Sequence, residues 1–574
     1  MIWAKTRNHN YHNTLWDKVR GYNLENALIT DYNGSASGGK ITSVTPSSFS
    51  HDGGVWFNEN TRQYVAWAWD GGSPVSNSAY NQSQTWSSAT LSDATNLIGL
   101  FDGDNSTNCQ QSTNGTAASV TNFGPVSVSS TVSFYSPDGD ARYTLNGGSE
   151  VSVTGTGWHD ISFTGTLTSF TFQAPGSARI FIYGMKIDGK ELVDAGLVPA
   201  GGSNNLAYDQ SRTWSGDLSA TSLSNETKMF DWTYGYGSYT GTCTWTTTNA
   251  AYSNLSGRVY LANNTTLTLG ITFKDSSNNT LGSFNLPWTG DGTQMQDTGF
   301  DWTSSVASVE ITGDYLPVRV RIGSKTLVDT GVTGLTNVPE RACKVRANQT
   351  AGFSVVKVDD PNATEGRVHG LTKAPDFIMA KSTAQLSENW HMFHSVFGKS
   401  HYAIFGNNAF ASSDQWGSQE PNDHSFYVKT NTAAGSNYAG GMIYYIWHSV
   451  PGFSSFGDFI NPSSTIGAFV YCGFKPALII AKCAEDLGGG SGVGDWIIKD
   501  TTRSPFNHPT DGNTLVANVS NAEDNYYTAG QAKVDILSNG FKIQHPNSSP
   551  LGDTGRRYIY CAWAEHPFKQ SLAH

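Results

Sequence analysis

Hydrophobic and polar residues alternate in short runs along much of the chain. Thr131-Val132-Ser133-Phe134-Tyr135 and Ser169-Phe170-Thr171-Phe172 are apolar at every second position, the period of a strand with one buried face. Asp138-Gly139, Asn146-Gly147 and Asp188-Gly189 punctuate these runs at the spacing of turns in a β-sandwich. Other segments are densely aromatic, such as Met442-Ile443-Tyr444-Tyr445-Ile446-Trp447. No long amphipathic helical stretch interrupts them, and short helical turns are expected only near 91–100 and 522–527.

Self-comparison separates two kinds of repeat. The first opens on Ile2-Trp3-Ala4-Lys5, Phe377-Ile378-Met379-Ala380-Lys381 and Leu478-Ile479-Ile480-Ala481-Lys482. A tryptophan strand follows each opening, through Trp16, Trp390 and Trp496, and each copy closes on an aromatic strand carrying Trp67, Trp447 or Trp563. The second and third copies have an extra leading segment, at Gly352-Phe353-Ser354 and Gly452-Phe453-Ser454, which the first lacks. That difference suggests either a strand supplied by another chain or a longer natural polypeptide. The second kind of repeat pairs Ala79-Tyr80-Asn81-Gln82-Ser83-Gln84-Thr85-Trp86-Ser87 with Ala207-Tyr208-Asp209-Gln210-Ser211-Arg212-Thr213-Trp214-Ser215. These units end on the related segments Lys190-Glu191-Leu192-Val193-Asp194 and Lys325-Thr326-Leu327-Val328-Asp329.

The expected fold is all-β and multi-domain: tandem jelly-roll-like β-sandwiches flanked by small aromatic β modules. The boundaries are a truncated aromatic module at 1–76, sandwiches at 77–202 and 203–340, and aromatic modules at 341–451 and 452–574. Repeated tryptophans, Trp86 and Trp214 among them, are assigned to cores, because equivalent positions in tandem copies serve the common fold.

Composition agrees. Charged residues are 14% and aromatics 12% of the chain, with 61 glycines, which suits many short strands and tight turns and opposes disorder. The net charge of −12 without a Lys/Arg run argues against nucleic-acid binding. No apolar run is long enough for membrane insertion. The N-terminal residues lack the apolar core of a signal peptide. Six scattered cysteines without a CxxC pair suggest free thiols in a protein assembled in a reducing cytoplasm.

The aromatic modules, through "FIMAK…NWHMF", "LIIAK…DWIIKD" and "YIYCAWAEHPF", resemble a domain of unknown function recurrent in marine cyanophage virion proteins, tail fibres included. The sandwiches, with "YDQSRTWS" and "KIDGKELVDAG", resemble units that accompany it. The resemblance implies a structural protein on the phage particle, assembled in the host cytoplasm with other virion proteins as partners, and names no ligand; a host cell-surface glycan is the partner expected of a receptor-binding component. It implies homo-oligomerisation, as a trimer by analogy with fibres. The first expectation is a tail fibre or receptor-binding component. A capsid-decorating or connector protein without a receptor role and a polysaccharide-cleaving tailspike are the alternatives.

Catalysis is not expected. Nucleophile-elbow, P-loop and zinc-protease motifs are missing, and His391 and His394 have the odd spacing that sends strand residues to opposite faces. Asp138 and Asp140 lie in a turn sequence, and His566 beside Pro567 reads as a structural corner. No cofactor is expected. Phe101-Asp102-Gly103-Asp104-Asn105-Ser106-Thr107 is similar to the calcium turn of galactose-binding-like sandwiches, and Asp102, Asp104 and Thr107 could wrap a hard cation. A plain Asp-Gly turn is the favoured reading there. The ligand candidates are aromatics of the Gly/Tyr-rich run after Phe230: Trp232, Tyr234, Tyr236 and Tyr239. A Gly/Tyr loop that packs against a neighbouring module or subunit is the favoured reading there.

Overall fold

The computed structural model describes residues 1–574 apart from 23–26, 33–39, 46–47, 53–58, 76–79, 104–107, 138, 177, 199–207, 211, 232–234, 249–251, 253–254, 256, 289–295, 323–324, 331, 333–342, 359–364, 407–409, 418–419, 424, 430–440, 463–466, 486–493, 506, 508–512, 524–531, 545–549 and 566–574. The fold is all-β, built from mainly antiparallel sheets, with one parallel strand pair in each sandwich, and short 3-10 turns, one of them at Leu97–Leu100. Two compact units divide the chain. One joins Met1–Ser73 to Lys344–His574, and the other is Pro74–Cys343.

The first unit contains three copies of one sheet. The opening strands are Ile2–Thr6, Phe377–Ser382 and Pro476–Cys483, and each lies between a second strand and a closing strand. The second strands are Thr14–Trp16, His391–His394 and Ile497–Asp500. The third strands are Leu28–Ile29, His401–Ile404 and Leu515–Val516. The closing strands are Tyr64–Ala68, Met442–Trp447 and Arg557–Ala564. Alternate residues of all three sheets enter one shared core, from Trp3, Leu15 and Val65 to Met379, Tyr445, Ile480 and Cys561. The opposite faces carry further apolar residues. In the third copy these include Ile479, Tyr558 and Tyr560, packed with Val470, Phe541 and Ile543 of a small outer sheet. Burial on both faces explains why these strands read as continuous apolar runs.

Strand register fixes which residues are equivalent, and it corrects two sequence pairings. Lys5, Lys381 and Lys482 lie opposite Val65, Ile443 and Ile559. Four residues further along the closing strand come Trp69, Trp447 and Trp563. The first-copy equivalent of Trp447 and Trp563 is therefore Trp69, not Trp67. Likewise Ala4, Ala380 and Ala481 lie opposite Thr14, His391 and Ile497, so the residue before the second strand is Asn13, Trp390 or Trp496. Trp16 sits three positions later, in the outer core of its copy with Ile2, Ala4 and Ile41. Sequence comparison matched the nearest indoles, whereas the sheets are matched by backbone ladders.

The three copies close into a ring. The Trp390 indole donates to the Ile29 carbonyl at 2.7 Å, that of Trp496 to Ile404 at 2.7 Å, and Asn13 Nδ2 to Val516 at 3.2 Å. Ile29, Ile404 and Val516 hold the same third-strand position, opposite Thr14, His391 and Ile497. Each copy thus donates to the next at one repeated contact: second to first, third to second, first to third. At one end Trp69, Trp447 and Trp563 form a triangle with centroid separations of 5.3, 5.9 and 6.0 Å, all edge to face. Deeper in the core, Phe405 lies within 5.9 Å of Trp3, Trp390 and Trp496. Aromatic pairs of this geometry contribute about 0.5–1.5 kcal/mol each beyond area burial.

The second unit holds two sandwiches, each of two five-stranded sheets. In the first, Phe134 of one sheet stacks on Tyr143 of the other at 4.4 Å. In the second, Phe273 stacks on Phe300 at 4.0 Å. The repeated terminal motifs form a clasp in each. The Trp86 and Trp214 indoles donate to the carbonyls of Asn81 and Asp209 at 2.9 and 2.8 Å. The Ser87 backbone N–H donates to Asp194 Oδ1 at 2.8 Å, and Ser215 N–H to Asp329 Oδ1 at 3.0 Å, and each serine hydroxyl donates to the second oxygen of the same carboxylate. Each clasp ties the beginning of a sandwich to its end, which accounts for the recurrence of these motifs without a ligand.

Candidate functional site

Candidate catalytic groups in the three-copy unit serve its interior. Lys5, Lys381 and Lys482 are buried. Their ammonium groups donate to the carbonyls of Tyr11, Glu388 and Gly494, each two residues before the ring contact. Burial lowers all three, Lys5 and Lys381 to about 8 and Lys482 to about 7. Each lysine anchors the turn into its second strand. His391 and His394 are also buried, and desolvation lowers both to about 4, so they pack as neutral rings. Asp17 forms a buried ion pair with Arg20 at 2.5 Å and accepts from the Tyr445 hydroxyl at 2.7 Å. Asp500 repeats this with Arg503 at 2.7 Å and accepts from the Trp67 indole at 3.2 Å. Both turns stitch one copy to another.

The sequence-derived ligand candidates divide. Trp232 and Tyr234 lie outside the described residues, as do Asp104, Thr107, Asp138 and His566. Tyr236 is 50% exposed and meets Tyr315 edge to face at 5.1 Å. Tyr239 corrects the expectation. It is 5% exposed on strand Ser238–Thr246 and packs into the sandwich core with Cys243 and Leu316, so its ring is not offered to a ligand. It falls three residues after Tyr236, on the inner face of the strand the loop enters. Asp102 is 9% exposed beside the clasp, where the Asp194 N–H donates to the carbonyl of Phe101. Among the described residues no group of three His, Cys, Asp or Glu side chains could hold a metal.

A second aromatic cluster emerges only from the fold. In the first sandwich, strands Gly157–Ser162, Thr131–Ser136, Gly184–Ile187 and Lys190–Leu192 are successive neighbours. Val132, Phe134, Met185 and Ile187 point into the core. Tyr135 therefore faces outward, opposite Trp158 and Gly184. Tyr135 meets Trp158 at 5.5 Å and Tyr183 at 6.2 Å, edge to face in both cases. Gly184 makes this possible, because a Cβ there would stand 3.0 Å from both Trp158 and the Glu191 carboxylate. The Lys186 ammonium sits 3.6 Å from the Trp158 ring centroid and lies across the ladder from Glu191. Glu191 Oε1 is buried without a hydrogen-bond partner. Burial raises this carboxyl above its ordinary range, Lys186 lowers it and Asp102 raises it further. The surface combines half-buried rings and an ammonium above a buried, unsatisfied carboxyl oxygen, the elements of a site for a polyhydroxylated ligand. The alternation from Val132 to Tyr135 was the sequence signal for its outward residues.

Residues 330–567 match a family described as a domain of unknown function, DUF7483. No curated protein matches the chain. The match takes in the second and third aromatic copies, and strand register adds the first segment to the same architecture. No helix among the described residues is long and apolar enough to cross a membrane.

Proposed function

We propose that this chain is a binding and assembly protein of a virus particle, and that its sandwich unit attaches to host surface glycan. The observation that carries the glycan reading is the outward cluster of Trp158, Tyr135 and Tyr183 with Lys186 and Glu191 at its rim. Ring surfaces pack on the apolar C–H face of a sugar, and the charged rim supplies hydrogen bonds to hydroxyls. Exposed Tyr236, edge to face against partly buried Tyr315, gives the second sandwich a smaller surface of the same kind. Weak sites of this type gain through multivalent display. The virion setting rests on the resemblance of the aromatic modules to cyanophage particle proteins. The non-catalytic reading is supported by the internal partners of the buried lysines and of the Asp17 and Asp500 turns.

The test is binding of the full chain to a panel of bacterial lipopolysaccharides and capsular polysaccharides, with Trp158→Ala and Tyr236→Ala beside the parent. The proposal expects at least one glycan to bind, with roughly tenfold weakening in Trp158→Ala and an unchanged circular dichroism spectrum. Equal binding by parent and Trp158→Ala would sink the assignment of this face. Release of oligosaccharide fragments would show a depolymerase instead.

A further inference from the structure

The first aromatic copy differs from its sisters at one edge. Closing strand Met442–Trp447 pairs with its opening strand on one side and with leading strand Phe353–Val358 on the other. Arg557–Ala564 lies likewise between Pro476–Cys483 and leading strand Ser454–Ile460. Closing strand Tyr64–Ala68 pairs with Ile2–Thr6 and, among the described residues, with no strand on its other side. The Trp69 N–H donates to Met1, so ladder alternation turns the N–H and C=O groups of Ala66 and Ala68 toward the open side. Both alanines are exposed, whereas their equivalents Tyr444, Ile446, Tyr560 and Ala562 are buried. A cavity of about 640 Å³ opens at the end of this strand, between Trp69, Ala68, Asp70, Phe49, Val44 and Arg346.

We infer that the Tyr64–Ala68 edge is an acceptor that binds a separate extended peptide of the kind that leads its sister copies. An open edge is a template for strand addition, and the sister copies specify what fits. The donor runs antiparallel to Tyr64–Ala68. In the third copy Ser454, Phe456 and Asp458 lie opposite Trp563, Cys561 and Ile559. Carried to the first copy, that register sets donor residues opposite Trp69, Trp67 and Val65. The residue opposite Trp67 enters the shared core as Phe456 does and is apolar. Val355 holds that place in the second copy, opposite Tyr445, and Phe353 rather than Ser354 stands opposite Trp447, so the sisters share the apolar core residue and not the spacing of Gly-Phe-Ser. The donor pattern carried over is that of the third copy: Gly-Phe-Ser, one spacer, then an apolar residue. Gly457 is constrained by Tyr560, whose ring would stand 3.0 Å from a Cβ. Its counterpart lies beside Ala66 and has room for a side chain. A second copy of the chain is a poor donor, because its segments of this pattern, Phe353–Val358 and Ser454–Ile460, are already paired within their own sheets. The inference rests on strand pairing alone and is independent of glycan binding.

The test titrates a labelled synthetic peptide of sequence Gly452–Asn461 onto the full chain. Saturable one-to-one binding is expected, with at least tenfold loss in Ala66→Pro, which removes an edge N–H. Peptides N-methylated at alternate residues give a readout that does not depend on the variant folding. Methylation at donor residues whose N–H faces Ala66 or Ala68 abolishes binding, while methylation at the intervening residues leaves it intact. No saturable binding, or equal binding by both methylated series, overturns the acceptor. A dimeric mass for the chain alone, with Ala66 and Ala68 amides protected from exchange only in the dimer, overturns the separate donor in favour of a second copy.

Discussion

Trp69 packs edge to face against Trp563, with ring centroids 5.3 Å apart and planes at 71°, although 494 positions separate the two residues in the chain, by subtraction of their numbers. With Trp447 they join the ends of three closing strands at one point. The contact makes the N-terminal segment a member of the same core as residues 344–574.

Truncating Trp447 removes ring contacts to Trp69, Trp563, Phe353 and Phe377, and truncating Trp563 those to Trp69, Trp447 and Phe456. Trp447→Ala and Trp563→Ala should each destabilise the three-copy unit by about 3–5 kcal/mol, the usual cost of deleting a buried large aromatic. Guanidinium unfolding followed by tryptophan fluorescence measures this. Losses below about 1 kcal/mol would mean that the triangle is peripheral.

The buried lysines and histidines set a pH dependence. Lys5, Lys381 and Lys482 are lowered to about 8, 8 and 7 from an ordinary 10.5. The folded state therefore sheds protons that the unfolded state keeps, and stability rises with pH from about 7 toward 10.5. His391 and His394, lowered to about 4, extend the rise downward: stability is lost as pH falls from 6.5 toward 4. Burial raises Cys109 and Cys472 from 9.0 to about 12 and Cys243 to about 11. The unfolded state then loses protons first, and stability falls above pH 9. Thermal unfolding should show a maximum Tm near pH 9, with a flatter rise between 7 and 9 in Lys381→Met. A maximum below pH 7 would contradict the lysine assignment.

The sandwich clasps predict matched costs. Asp194→Ala and Asp329→Ala each leave a serine N–H and hydroxyl without their acceptors. Losing them from a buried site costs roughly 2–4 kcal/mol. Limited proteolysis of the full chain should cut Pro74–Cys343 faster in both variants. Unchanged cleavage in either would show that clasp to be dispensable.

The six cysteines are free, and all but Cys472 are buried. Native protein should alkylate slowly, with Cys472 first, and denatured protein should take up six labels. Mass spectrometry after timed iodoacetamide treatment reads the order. Rapid native labelling at Cys109 or Cys561 would contradict the packing.

The fold class was legible in the sequence because strand alternation and turn residues are local signals. The clasps were visible as motifs, but their purpose was not, since Ser87 and Asp194 meet only in the folded unit. The aromatic copies were legible as copies and misaligned at their tryptophans. In the second and third copies the indole beside Phe405 comes from just before the second strand. In the first it comes from Trp3 on the opening strand, and Asn13 at the vacated position accepts from the Trp3 indole at 3.2 Å. Space filled from a different strand leaves no trace in a one-dimensional comparison. Trp158 carries no sequence signal for a related reason: it faces outward from a Gly/Thr-rich stretch and joins Tyr135 only across the sheet.

The central claim is that three copies, the first included, share one core. A double-mutant cycle on Trp69→Ala and Trp563→Ala, read from guanidinium unfolding of the full chain, tests it most directly. A shared core predicts a coupling of about 1 kcal/mol or more between the two sites. Strictly additive losses, with Trp69→Ala leaving the transition of residues 344–574 where it was, would show the N-terminal copy to be a separate element.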